Sequence, residues 1–191
     1  MVTLTTRYSD ALKWVCEIHA QQRRRLHQDP YVGHLLRVGG MILEWATDED
    51  EALAALLHDA AEDCGGYAML EEIRCRFGEK VARLVEQCSD SLAVDADKKA
   101  PWRERKEAHI ARTATAEREA RLIMLCDKLD NMRSLLNQLE LSDADMVFSQ
   151  FRGGRATLWY FRAMIEALAP GLPEELVREA RRDLTALENK T

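Results

Sequence analysis

The tightest constraint on this chain is the stretch Leu56-Leu57-His58-Asp59-Ala60-Ala61-Glu62-Asp63, where an imidazole and carboxylates run straight out of the apolar segment Ala52-Leu53-Ala54-Ala55. A segment so apolar belongs in an interior, and ionisable groups at its end are costly there unless paired, hydrogen-bonded or bound to a metal. Any fold must therefore build a polar pocket at the end of a core element. If the segment is helical, His58 and Glu62 stand four residues apart, as do Asp59 and Asp63, so each pair shares a face. Two metal ligands and two catalytic carboxylates can then meet in one pocket.

Composition points to an all-α chain. Hydrophobic residues make up 47% of 191, with four prolines and nine glycines, and alanine, leucine, glutamate and arginine dominate. One compact domain spanning 1–191 is expected, long enough to bury a core without staples. The net charge of −6 argues against a nucleic-acid partner. No run of eighteen apolar residues occurs and the first residues lack the apolar core of a signal peptide, so a soluble cytoplasmic protein with no membrane partner is expected. Five scattered cysteines without a C-x-x-C pair read as reduced core or helix residues, with Cys64 a candidate reactive thiol.

Periodicity and punctuation divide the chain into helices. A first is expected over 8–25, with Leu12, Trp14, Val15, Cys16, Ile18 and His19 inward and the basic run Gln21-Gln22-Arg23-Arg24-Arg25 at its end. Pro30-Tyr31 opens a second, which carries His34 among Leu35, Val38, Met41, Ile42 and Trp45, with Gly39-Gly40 marking close packing or a bend. Thr47-Asp48 caps a central helix over 48–63, behind an acidic first turn read as structural. Further helices are expected over 69–76, 79–88, 102–116, 118–139, 155–168 and 174–187. Residues 89–100, with the charge run 95–99, read as a loop, and 141–154 as a loop or broken helix. The basic helix over 102–116 reads first as a solvated surface anchored by Trp102, and second as a phosphate-binding one.

His34, His58, Asp59 and Asp127 combine ligand chemistry with apolar helical surroundings, and Asn131 follows Asp127 at i+4. A single His, an adjacent His-Asp and a distant Asp resemble the pattern of the HD-domain phosphohydrolases. The resemblance narrows to the alarmone hydrolases of the Rel/SpoT and stand-alone small types. It is carried by the arginine run with Pro30-Tyr31-x-x-His34, by Ala54-Ala55-Leu56-Leu57-His58-Asp59-Ala60-Ala61-Glu62-Asp63, by Phe77-Gly78-x-x-Val81-x-x-Leu84-Val85, and by Leu125-Cys126-Asp127-Lys128-Leu129-Asp130-Asn131-Met132, over roughly 8–168. Leu35 stands where the family usually has proline, Gly39-Gly40 where it has a small apolar pair, and the basic loop lacks a glycine often found there.

The resemblance implies an HD-domain helical bundle with one divalent metal ion on His34, His58, Asp59 and Asp127. Manganese is the first expectation, with iron, nickel, cobalt and zinc also compatible with mixed nitrogen and oxygen ligands. It implies hydrolysis of the 3′-pyrophosphate of guanosine tetra- or pentaphosphate, with Glu62 and Asp63 handling the water and the leaving group. Arg24 and Arg25 would neutralise phosphates, Asn131 would bond the ribose or bridging group, and Tyr31 would line the nucleoside pocket. Another nucleotide phosphohydrolase of the same type, acting on a cofactor phosphate or a deoxynucleotide, is the first alternative. A non-catalytic alarmone-binding module is the second.

Overall fold

The computed structural model describes residues 2–26, 28–94 and 100–191. Eleven α-helices lie among them: α1 (Thr6–Ile18), α2 (Val32–Leu43), α3 (Glu49–Leu57), α4 (Ala60–Cys64), α5 (Tyr67–Phe77), α6 (Glu79–Cys88), α7 (Trp102–Thr113), α8 (Arg118–Leu139), α9 (Ala144–Ser149), α10 (Ala156–Leu168) and α11 (Glu174–Glu188). No strand occurs among the described residues, where an isolated bridge between Arg23 and Pro30 is the sheet-like feature. The charge run 95–99 lies outside the described residues.

The all-apolar segment becomes the centre of the molecule. Helix α3 is packed by α1, α2, α6 and α8, and every residue from Ala52 to Leu57 is shielded from solvent. Each fully buried leucine contributes roughly 1.5–3 kcal/mol of transfer free energy, so Leu53, Leu56 and Leu57 anchor the fold. The acidic first turn is structural, as expected: Asp48 accepts the Glu51 amide at 3.1 Å, and buried Glu51 accepts from the Thr47 amide at 3.2 Å and its hydroxyl at 2.5 Å. Helix α8 is the second axis, buried from Leu122 to Asp130 between α2, α3 and α6 on one side and α10 and α11 on the other.

The expected central helix over 48–63 breaks into α3 and α4, with His58-Asp59 at the junction. Both residues keep right-handed backbone angles, so the Asp63 amide still donates to the Asp59 carbonyl at 2.9 Å and the two acids of α4 remain one turn from the His-Asp pair. The first helix stops at Ile18 rather than residue 25, because the chain folds back on itself: the Arg24 amide donates to the Asp29 carbonyl at 2.8 Å and the Tyr31 amide to the Gln22 carbonyl at 3.1 Å. Cys16 faces solvent, and Cys126 is the buried one of the five free thiols. Helix α9, capped by Asp143, forms within the segment expected to be a loop or broken helix.

The glycine pair of α2 divides its work. A Cβ on Gly39 would lie 2.9 Å from Cδ2 of Leu56, so this residue lets α2 close onto α3, whereas one on Gly40 would meet nothing within 4 Å. That approach brings His34 to His58 and Asp59.

Candidate metal centre and active site

Three helical segments bring the ligand candidates together. His34 comes from α2, His58 and Asp59 from the α3–α4 junction, and Asp127 from the middle of α8. One donor atom each from His34, His58 and Asp59 lies within 4.8 Å of the others. Asp59 Oδ2 is 3.5 Å from His34 Nε2 and 3.2 Å from His58 Nε2, while Asp127 Oδ1 is 3.3 and 3.9 Å from the same nitrogens.

The tautomers decide what this cluster can hold. His58 Nδ1 donates to the Ala55 carbonyl at 2.8 Å, and His34 Nδ1 to Asp130 Oδ2 at 2.6 Å. With its proton on Nδ1, each neutral imidazole turns a lone pair inward from Nε2, and both Nε2 atoms are buried without a hydrogen-bond partner. Two lone pairs facing two carboxylates form a set of acceptors that requires positive charge at its centre. The ionisation equilibria express the same demand. Burial pulls His34 down, but the facing Asp127, Asp130 and Asp59 outweigh it and lift the imidazole to about 10. Burial would raise Asp59, yet the His58 charge and both imidazoles hold it well below the usual carboxylate range. A divalent cation answers this demand, and two nitrogens with two oxygens suit a transition metal.

Glu62 and Asp63 follow on α4 and are held by different arms. Glu62 Oε2 accepts the Asp90 amide at 2.8 Å, and partial burial, reinforced by the charges of Asp59 and Asp90, pushes its carboxyl up to about 7. Asp63 Oδ2 accepts from Gln22 Nε2 at 2.7 Å, and Gln22 Oε1 accepts from His19 Nδ1 at 2.5 Å. Buried His19 in turn stacks on Tyr31, with ring centroids 5.5 Å apart.

The residues expected at the substrate divide. Arg24 reaches the cluster: its guanidinium lies over the Tyr31 ring and donates to Asn131 Oδ1 at 2.7 Å, while Asn131 Nδ2 donates to Asp127 Oδ1. Arg25 is exposed and sits over Phe151, 5.9 Å from the ring centroid. Tyr31 turns its hydroxyl onto Asp59 Oδ2 at 2.6 Å, so it braces a ligand candidate. Beside this site a cavity of about 570 Å³ opens between α2 and α8, bordered by Arg24, Arg37, Met41, Arg133, Ser134 and Asn137.

The basic helix α7 is only in part the solvated surface expected of it. Arg105 and Lys106 both bind Asp90 Oδ2, and Arg112 donates to the Asp90 carbonyl at 3.0 Å, so these cations clamp the turn that holds Glu62. Trp102 does anchor the helix, packing edge-on against Trp159 and Tyr160. Sequence reasoning passed over Gln22, Arg37, Asp90, Asp130 and Lys128, whose buried ammonium binds Asp127 Oδ2 at 2.5 Å. Asp130 carried a usable signal, since it stands one helical turn after Asp127 in a segment buried on all sides. Asp90 carried none, because it stands in a polar loop.

Comparison with known proteins places these residues in context. The family described as HD domain matches residues 11–152. The guanosine-3′,5′-bis(diphosphate) 3′-pyrophosphohydrolase MESH1 of Drosophila melanogaster is 37% identical over 134 residues, covering 69% of this chain and 70% of that protein. The guanosine-3′,5′-bis(diphosphate) 3′-pyrophosphohydrolase of Aquifex aeolicus is 36% identical over 125 residues, 65% of this chain and 17% of the relative. A solved structure, described as a metazoan orthologue of SpoT that hydrolyses ppGpp and plays a role in starvation responses, superposes with a TM-score of 0.78 at 27% identity over 96% of both chains.

Proposed function

We infer that this chain, which belongs to the HD-domain family, is a metal-dependent hydrolase that removes the 3′-pyrophosphate of guanosine 3′,5′-bis(diphosphate), as its relatives are named for doing. The observation that carries the reading is the pair of buried, unpartnered Nε2 atoms aimed at Asp59 and Asp127 beside the raised carboxyl of Glu62. His34, His58, Asp59 and Asp127 are the ligands in this reading, and manganese is the proposed ion, with iron, nickel, cobalt and zinc as alternatives. When bound, such an ion polarises a phosphoryl oxygen and lowers the pKa of water.

The chain's own groups supply the rest. Glu62, with its carboxyl near neutrality, takes a proton from the attacking water as the new bond forms to the 3′-phosphorus. The bond from that phosphorus to O3′ breaks, Asp63 hands a proton to the departing O3′, and pyrophosphate and GDP result. Arg24 releases Asn131 to bind phosphate oxygens, with Arg25 further out, and Asn131 then bonds the ribose side of the substrate. The cavity of about 570 Å³ is in the size range of small-molecule sites and borders Arg24, so it is the proposed seat of the nucleoside. Residues 1–191 work as one domain in this reading. No helix among the described residues is long and apolar enough to cross a membrane, and a cytoplasmic setting is proposed.

The test is product analysis. Metal-stripped protein is incubated with ppGpp, with and without Mn²⁺, alongside NADPH and a deoxynucleoside monophosphate. Manganese-dependent GDP and pyrophosphate support the reading. Turnover of another nucleotide alone keeps the chemistry and replaces the substrate, and tight ppGpp binding without turnover replaces the enzyme with a sensor.

A further inference from the structure

We propose that Asp130 is a positioning residue for the metal: it holds His34 in the Nδ1–H tautomer, aims the Nε2 lone pair into the cluster and thereby sets the affinity for the divalent ion. The inference rests on the metal reading above. Asp130 is 4% exposed and both its oxygens are engaged, Oδ2 by His34 Nδ1 at 2.6 Å and Oδ1 by Arg37 Nε at 2.5 Å, with Arg37 Nη2 3.2 Å from Oδ2. The carboxylate is therefore not free to become a ligand. A guanidinium forked over both oxygens is the geometry of an ionised carboxylate, which accepts and cannot donate. The proton of the short bond to His34 accordingly belongs to Nδ1.

The two imidazoles differ in what stands behind them. His58 leans on a neutral carbonyl, that of Ala55, whereas His34 leans on a full negative charge. A carboxylate behind a ligating imidazole fixes its orientation and raises its basicity, and losing such a partner typically weakens metal binding by about 10- to 100-fold. The arrangement also spans two helices. His34 and Arg37 lie one turn apart on α2, Asp127 and Asp130 one turn apart on α8, so the crossing that brings two ligands together also brings the support for one of them.

The experiment is a titration of the metal-free full chain with Mn²⁺ alone, following loss of the free-ion electron paramagnetic resonance signal, for wild type, Asp130→Ala, Asp130→Asn and Asp127→Ala. Asp130→Ala is expected to weaken binding by about 10- to 100-fold, and Asp130→Asn by less, because its amide oxygen still accepts from Nδ1. Histidine ¹⁵N spectra of the Zn²⁺-loaded protein should show a slowly exchanging Nδ1 proton on His34 in wild type and Asp130→Asn, and lose it in Asp130→Ala. If either Asp130 variant lowers the melting temperature while both bind Mn²⁺ within about twofold of wild type, Asp130 is merely structural and the proposal fails, with the metal site standing. If wild type takes up no Mn²⁺, the metal reading and this inference fall together.

Discussion

Adjacent glycines on α2 should respond to alanine with opposite signs. Replacing a helix-interior glycine by alanine gains about 1 kcal/mol in backbone propensity. At Gly40 nothing lies within 4 Å of the new methyl, so the full gain of about 1 kcal/mol should appear as added stability. At Gly39 the methyl would stand 2.9 Å from Cδ2 of Leu56 and 3.5 Å from the Tyr8 hydroxyl. Leu56 is fully buried in α3 and its side chain must shift to admit the methyl, for which an overpacking cost of about 1–3 kcal/mol is expected. The net at Gly39 is therefore between roughly neutral and 2 kcal/mol destabilising, about 1–3 kcal/mol below the Gly40 variant. Urea denaturation of both variants at pH 7.5 measures the difference. Because α2 carries His34 and α3 runs into His58, Gly39→Ala should also weaken Mn²⁺ binding while Gly40→Ala leaves it unchanged. Equal stabilisation by the two alanines would refute the claim that Gly39 sets the helix approach.

Three further outcomes follow from the site and its surroundings. Glu62→Gln should retain Mn²⁺ in a titration and lose turnover of ppGpp by about 10²- to 10⁴-fold, the usual worth of a positioned proton acceptor. In wild type kcat/KM for ppGpp should rise with pH up to about 7, since Glu62 accepts a proton only once ionised, and a pH–rate profile without that acid limb would contradict its role. His109 is 2% exposed, and burial, with the nearby Lys128 charge, holds its imidazole down to about 3. Below pH 6.5 the unfolded chain takes up a proton that the fold refuses, so the His109 contribution to stability falls as pH drops from 6.5 toward 3, by roughly 2 kcal/mol at pH 5, against the gain from protonating the raised carboxyl of Glu62. His109→Gln should therefore gain stability relative to wild type as pH falls from 7 to 5, read as the difference between the two proteins in denaturation series.

Much of the site could be read from neighbours in the chain, and the rest could not, for a physical reason. His58, Asp59, Glu62 and Asp63 sit against an apolar run, and Asp127 sits within a helix buried on all sides, so their polarity conflicts with their surroundings. Conflict of that kind is visible in sequence. Asp90 and Gln22 lie in segments where polar residues are expected, and only the folded chain places them on Glu62 and Asp63. The helix boundaries behave likewise. Helix α8 has the bounds that periodicity predicts, whereas α1 ends early because tertiary hydrogen bonds reclaim the residues after Ile18. The cations of α7 look like a solvated face until the α6–α7 loop places Asp90 among them.

The segment between α1 and α2 bears on the role proposed for Arg24 at the substrate. Within it, Gln22 holds Asp63, Tyr31 holds Asp59, and Arg24 reaches Asp127 through Asn131, so each acid has one partner from the same folded-back segment. Arg24 differs from the other two in what it binds. Its hydrogen bond goes to a neutral amide, and the nearest carboxylate oxygen, on Asp130, stands 3.9 Å away. A phosphate adds an ionised acceptor and a bidentate fit to the planar guanidinium, neither of which the amide of Asn131 offers, so exchanging Asn131 for phosphate oxygens is favourable. Asp130 does not compete, because Arg37 and His34 already occupy its two oxygens. In the proposed mechanism Asp130, by supporting His34, also leaves Arg24 free for substrate, and release from Arg24 would allow the amide oxygen of Asn131 to turn to the ribose.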